Sequence, residues 1–172
     1  MNSDDCILLT YMHCPLLHVL QTENKYLLFE QVTNEFIPFL DQIESKKLIG
    51  ATVVMSCVFL NTLNDEEFNT RYAQYLHQFS SRQHQRALTF LKKWNGSLFS
   101  ACKYFFQHDM MECIPTTVTN AFVSTLKTEQ TLNLQTTEAI RVFQQFFEKK
   151  PVGFFYTARR VYPSSRYAPK IS

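Results

Sequence analysis

Between Lys47 and Asp65 no carboxylate, ammonium or imidazole group interrupts the chain. The run Leu48 to Leu63 (LIGATVVMSCVFLNTL) is apolar all round a helical wheel, while the segments on either side are amphipathic. A helix without a polar face has to be surrounded, by other helices or by lipid. Spanning a bilayer takes about 20 apolar residues, with roughly 17 as a lower limit. This run reaches that limit only if Thr52, Ser56, Asn61, Thr62 and Asn64 are counted as apolar. The spacing therefore predicts a buried helix over 48–63, at the centre of a bundle, and a membrane partner is not expected.

The flanking segments supply faces to pack against it. Leu28, Phe29, Val32, Phe36, Phe39, Leu40 and Ile43 recur at 3.6-residue spacing, with a kink expected at Pro38 because proline withholds one hydrogen bond. Asn64 and Glu67 open a helix carrying Phe68, Tyr72, Tyr75, Leu76 and Phe79 on one face. A second runs from Ser80-Ser81 to the Asn95-Gly96 stop, with Ala87, Leu88, Phe90, Leu91 and Trp94 inward. A third starts at Ser97 and carries Leu98, Phe99, Cys102, Phe105 and Phe106, breaking near His108 so that Asp109 is not buried; a short turn over 109–112 comes next. Helical spacing over 116–128, a polar loop over 129–136 and a helix from Thr136 or Thr137 to Lys150 complete the series. Residues 6–20 and 152–162 fit either helix or strand.

Only three glycines, Gly50, Gly96 and Gly153, occur in 172 residues. They are too far apart to build a phosphate-cradling loop or a dinucleotide fingerprint, and HExxH, CxxC and GxSxG are also missing. No cofactor and no metal is expected. Two Cys/His groups, Cys6/His13/Cys14/His18 and Cys102/His108/Cys113, follow no zinc spacing. The odd cysteine count and the acidic Asp4-Asp5 start point to reduced thiols in a cytoplasmic or nuclear protein.

Charge is divided along the chain. Residues 1–67 hold ten Asp/Glu against three Lys, a net −7, and residues 68–172 hold fourteen Lys/Arg against five Asp/Glu, a net +9. The basic stretch ends in Tyr156, Arg159, Arg160, Tyr162, Arg166, Tyr167 and Lys170, where cations alternate with rings. Such a segment suits nucleic acid or an acidic partner, and equally its own acidic N-terminal third. Phe90, Trp94, Phe99 and Phe106 flank the Asn-Gly turn and could line a groove for a partner helix.

Together these features predict an all-α single domain over residues 1–162, about seven helices around a central apolar one, with a mobile basic tail over 163–172. The plan is similar to that of Bcl-2-type bundles, although Trp94-Asn95-Gly96 departs from their Asn-Trp-Gly-Arg signature and no groove residue carries over. The expected function is a non-enzymatic protein–protein interaction module: an adaptor, scaffold or inhibitor. Its contacts would be Phe90, Trp94, Phe99, Phe106, Tyr156, Arg159, Arg160, Tyr162 and Arg166. The alternatives are a nucleic-acid-associated protein using the basic two-thirds, and an enzyme with a thiol at Cys102 activated by Lys103, His108 and Asp109.

Overall fold

The run that looks like one helix is a strand, a cap and a helix. Gly50 turns the chain at φ +74°. Ala51–Met55 then forms strand β2, Ser56 is extended (ψ 152°), and a helix occupies Cys57–Asn64. The β-branched Thr52-Val53-Val54 favours the pleat. Ser56 stops the strand because its Oγ accepts the Phe59 amide at 3.1 Å. A buried parallel strand shows no polar alternation, so strand and core helix look alike over a run this short. The all-α bundle is therefore overturned.

The structure is a computed structural model and describes residues 8–12, 25–45, 50–119, 121 and 125–156. Strand β1 is Leu8–Met12 and strand β3 is Met111–Pro115. Both pair with β2 in parallel, Leu8 opposite Ala51 and Ala51 opposite Met111, so β2 is the middle strand. Beyond β3, Phe155 forms a parallel bridge with Thr116, and its amide donates to the Pro115 carbonyl at 2.9 Å. The short turn expected over 109–112 is instead a left-handed Asp109 (φ +54°) delivering the chain into β3.

Strand neighbours thus follow chain order without a reversal. Parallel crossovers are right-handed, so a sheet wound in one direction receives all its helices on one face. Residue alternation agrees. Ala51, Val53, Met55, Met111 and Cys113 are buried in the main core with the helices. On the opposite face Glu112 is exposed, Thr52 and Ile114 are half-buried, and Val54 is buried outside the main core. This is a (β/α) arc with one face of the sheet packed under helices.

Helix α1 (Lys25–Gln31), a π-helical turn (Val32–Phe36) and helix α2 (Ile37–Glu44) form one rod. Pro38 sits in the first turn of α2, directly after the π-turn, which the Ile37 amide closes on Val32 O. Cys57–Asn64 is helix α3. Helices α4 (Glu66–His77), α5 (Arg82–Lys93) and α6 (Leu98–Gln107) start on the side chains of Asp65, Ser81 and Ser97. Asn69 binds them together: its amide donates to Leu63 O and Asp65 O, both at 2.8 Å, and its oxygen accepts the Leu98 amide. Helix α7 spans Glu129–Phe147, capped by Thr128. The segment read as a polar loop is thus its first two turns. Over 116–128 the described residues are turn and irregular, not α-helical. The tail 163–172 lies outside the described residues. No helix among the described residues is long and apolar enough to cross a membrane.

Candidate active site at the carboxyl edge of the sheet

Parallel sheets bind ligands beyond the carboxyl ends of their strands, where exit loops and helix starts converge. Here β2 leaves through Ser56 and β3 through Thr116-Thr117. All three are buried polar residues, with relative exposures of 2 %, 0 % and 0 %. Thr116 stays in the ladder through its amide, which donates to Met55 O at 3.4 Å. Thr117 Oγ1 donates to Ala121 O at 3.0 Å and closes the turn. Gln135 of α7 holds the same loop: its side-chain oxygen accepts from Thr119 N and Oγ1 at 3.1 and 3.0 Å. The Val118 amide adds a hydrogen bond to Gln135 O at 3.3 Å.

A small apolar floor lies beside these hydroxyls, with Cys57, Ala139 and Val142 buried and Val118, Phe146 and Phe154 packed on them. The Cys57 thiol donates to Ala139 O at 3.8 Å. Burial pushes its pKa up to about 11, with Glu138 adding to the effect. It is a neutral packing group at pH 7. Tyr156, two residues beyond Phe154, has a buried hydroxyl beside Thr136. Burial raises its pKa, and nearby Thr136 opposes the rise. Thr136 Oγ1 itself donates to Leu132 O at 2.9 Å. The edge is therefore built on neutral hydroxyls and a phenol, with no charged group among them.

Carboxylates are missing from the strand exits. The segments after the three strands and the Phe155 bridge (13–22, 56–64, 116–128 and 156–172) contain no Asp or Glu at all. Glu138, on α7, is half-buried and engaged by Arg141 Nε and Nη2 at 2.8 and 2.6 Å, which lowers its pKa. Glu112, exposed on the face of the sheet away from the main core, accepts from Thr52 Oγ1 at 2.7 Å.

Of the residues expected to bind a partner, Phe90 and Phe99 are buried in the core. Trp94 and Phe106 pack on it, Trp94 against Phe105 (centroids 5.3 Å) and Phe106 against Phe147 (4.6 Å). They do not line an open groove. Tyr156 is at the carboxyl edge; Arg159, Arg160, Tyr162 and Arg166 lie outside the described residues. Cys102 is fully buried, its pKa pushed up to about 12 by desolvation, so it cannot act as a thiolate nucleophile. His108 stacks instead on Tyr104 (3.9 Å). Among the described residues no group of three or more His, Cys, Asp or Glu could hold a metal ion; His13, Cys14 and His18 lie outside them. Sequence reasoning missed Ser56, Thr116, Thr117 and Thr136. The available signal was a polar Ser or Thr directly after each of two β-branched or alternating runs, TVVM-S and MECIP-TT.

The glycosyl hydrolase family 57 model matches residues 15–165. Among solved structures, the GH57-type branching enzyme from Pyrococcus horikoshii superposes with a TM-score of 0.76 at 17 % identity, covering 88 % of this chain and 34 % of that one. The alpha-amylase of Thermotoga maritima gives 0.77 at 14 % identity, covering 88 % and 35 %. A GH57 branching enzyme from Thermococcus kodakaraensis, solved with glucose and additives, gives 0.77 at 15 %, covering 88 % and 32 %. The chain spans about a third of the length of these structures. No curated protein matches it in sequence. A model of an enzyme family across most of the chain, on a (β/α) arc, overturns the reading as an all-α, non-enzymatic adaptor.

Proposed function

The chain belongs to glycosyl hydrolase family 57, and from that membership we infer that it forms part of a glycoside hydrolase or glycosyl transferase acting on α-glucans. The observation that carries this reading is the family match over residues 15–165, which takes in β2, β3 and every described helix. The α-glucan class is supported by the names of the structural neighbours, two branching enzymes and an alpha-amylase.

Glycosidic bonds are broken between two carboxyl groups, one protonating the leaving oxygen and the other acting on the sugar or on water. The strand exits of this chain hold none. We therefore assign the carboxylate pair to polypeptide outside these 172 residues, in keeping with a chain that spans a third of its structural neighbours. The part left to this chain is one wall of the site. Ser56, Thr116 and Tyr156 mark a neutral edge suited to hydroxyl groups, and the buried Cys57 floor excludes water.

The test uses the protein purified from its own cells, in whatever length it occurs there, incubated with maltoheptaose and an epoxyalkyl maltoside that esterifies a catalytic carboxylate. The expected result is a change in glucan chain length or branching, with the label mapping outside residues 1–172. A label on an Asp or Glu within 1–172 overturns the division of labour, and no processing of any α-glucan overturns the substrate class.

A further inference from the structure

A second cleft opens between α1, α3 and α4. The rod from Lys25 to Glu44 rises about 30 Å, against about 17 Å for a five-residue strand. Its Glu44 end leads into the amino end of β2. Phe36, near its middle, meets Phe59 in the first turn after the carboxyl end of β2 (centroids 5.2 Å). The first turns of α1 therefore stand beyond the carboxyl edge of the sheet, and the cleft at their side has a volume of about 430 Å³. That is within the range of small-molecule sites.

One wall is aromatic. Tyr26 is 48 % exposed, and its ring is held by Tyr75 (5.7 Å) and Phe29 (6.4 Å). Phe29 is fixed in turn by Phe68 (5.5 Å). Tyr75 is anchored through its hydroxyl, which donates to Glu30 and lies 3.3 Å from His84 Nε2. The platform is thus rigid at its base and open at Tyr26. The polar part of the lining is Gln74, Gln78 and Asp65, whose Oδ1 accepts the Phe68 amide at 2.6 Å, with Arg71 paired to Glu67 one turn before it.

This composition discriminates among ligands. Two carboxylates against one guanidinium leave the cleft net negative, which disfavours phosphates and other anions. A purely apolar ligand would desolvate the Gln74 and Gln78 amides without giving them partners. A pyranose suits both kinds of lining, with its CH face on the Tyr26 ring and its hydroxyls toward Gln74 and Gln78. We propose that the cleft bounded by Tyr26, Asp65 and Gln74 is a second carbohydrate site, taking a short neutral oligosaccharide and sharing no lining residue with the wall of Ser56, Thr116 and Tyr156. The choice of an α-glucan as its occupant rests on the proposed function; the existence of the site does not.

The test is titration of the full chain with maltoheptaose and, separately, cellohexaose, measured by isothermal calorimetry. Tyr26→Ala is expected to weaken binding about tenfold and Gln74→Ala about threefold, both with an unchanged melting temperature. Either variant alone suffices should the other fail to fold. Unchanged affinity in the folded variants overturns the site, as does a parent chain that binds neither sugar. Cellohexaose binding that Tyr26→Ala abolishes, without maltoheptaose binding, supports the site and counts against the α-glucan class.

Discussion

Thr52→Ala changes stability in opposite directions for the two shapes that the central run could take. In β2, Thr52 lies opposite Glu112 and donates to its Oε2 at 2.7 Å. The bond reaches an ionised but exposed acceptor, so its net worth is about 1 kcal/mol. Replacing a β-branched residue in a strand by alanine costs up to about 1 kcal/mol more. The sum is a loss of about 1–2 kcal/mol, and for a chain of this size a fall in Tm of roughly 3–6 °C. In a helix the same change removes a poor helix former and gains up to about 0.7 kcal/mol. Urea unfolding followed by circular dichroism measures the difference. Thr52→Val keeps the branch and loses only the bond, so about half the effect is expected. A double cycle with Glu112→Ala should show coupling of about 0.5–1.5 kcal/mol. A Thr52→Ala variant as stable as the parent, or more stable, refutes the strand and its register.

Asn69→Ala leaves Leu63 O, Asp65 O and the Leu98 amide without their partner and should cost about 2–3 kcal/mol by urea titration; a loss under about 0.5 kcal/mol would contradict the clamp. Thr128→Ala should cost about 1 kcal/mol and Thr137→Ala almost nothing, because α7 begins at Glu129; the reverse order would restore the later start. Cys57 and Cys102 have folded pKa values raised from 9.0 to about 11 and about 12, and Cys113 is also raised, all by burial. Unfolded thiols ionise first, so this contribution is whole below pH 9 and is lost as pH rises through the folded values. Melts between pH 8 and 11 should show that decline, and peptide mapping after iodoacetamide at pH 8 should find these three thiols unmodified in the native protein.

Helix boundaries were legible where chemistry is local. Ser81 and Ser97 cap helices α5 and α6, and Asn95-Gly96 ends α5 in left-handed geometry (φ +54° and +79°), whereas the cap of α4 is Asp65, one residue after the expected Asn64, which closes α3. The sheet was not legible, because its strands are five residues long and its partners are distant in sequence. Val53 and Met55 bury one face while Val54, fully buried, lies on the other, and this removes the alternation that marks a half-exposed strand. The same error removed the site. Ser56 and Thr116 look like ordinary polar interruptions until Met55 and Pro115 are known to end parallel strands side by side. The adaptor reading rested on missing motifs, and a hydroxyl-lined wall has no sequence motif to find. Phe90 and Phe99 were surplus aromatics only for a bundle; in this fold they fill the core beneath the sheet.

The central claim is that Leu48–Leu63 holds the middle strand of a parallel (β/α) arc. Backbone ¹³C chemical shifts of the isotopically labelled chain test it most directly. Strand-type Cα and Cβ deviations are expected over Ala51–Met55 and Met111–Pro115. A change to helical deviations is expected at Cys57, together with cross-strand contacts between Val53 and Cys113. Helical deviations running unbroken through Thr52, Val54 and Ser56 would contradict the claim and return the chain to a bundle.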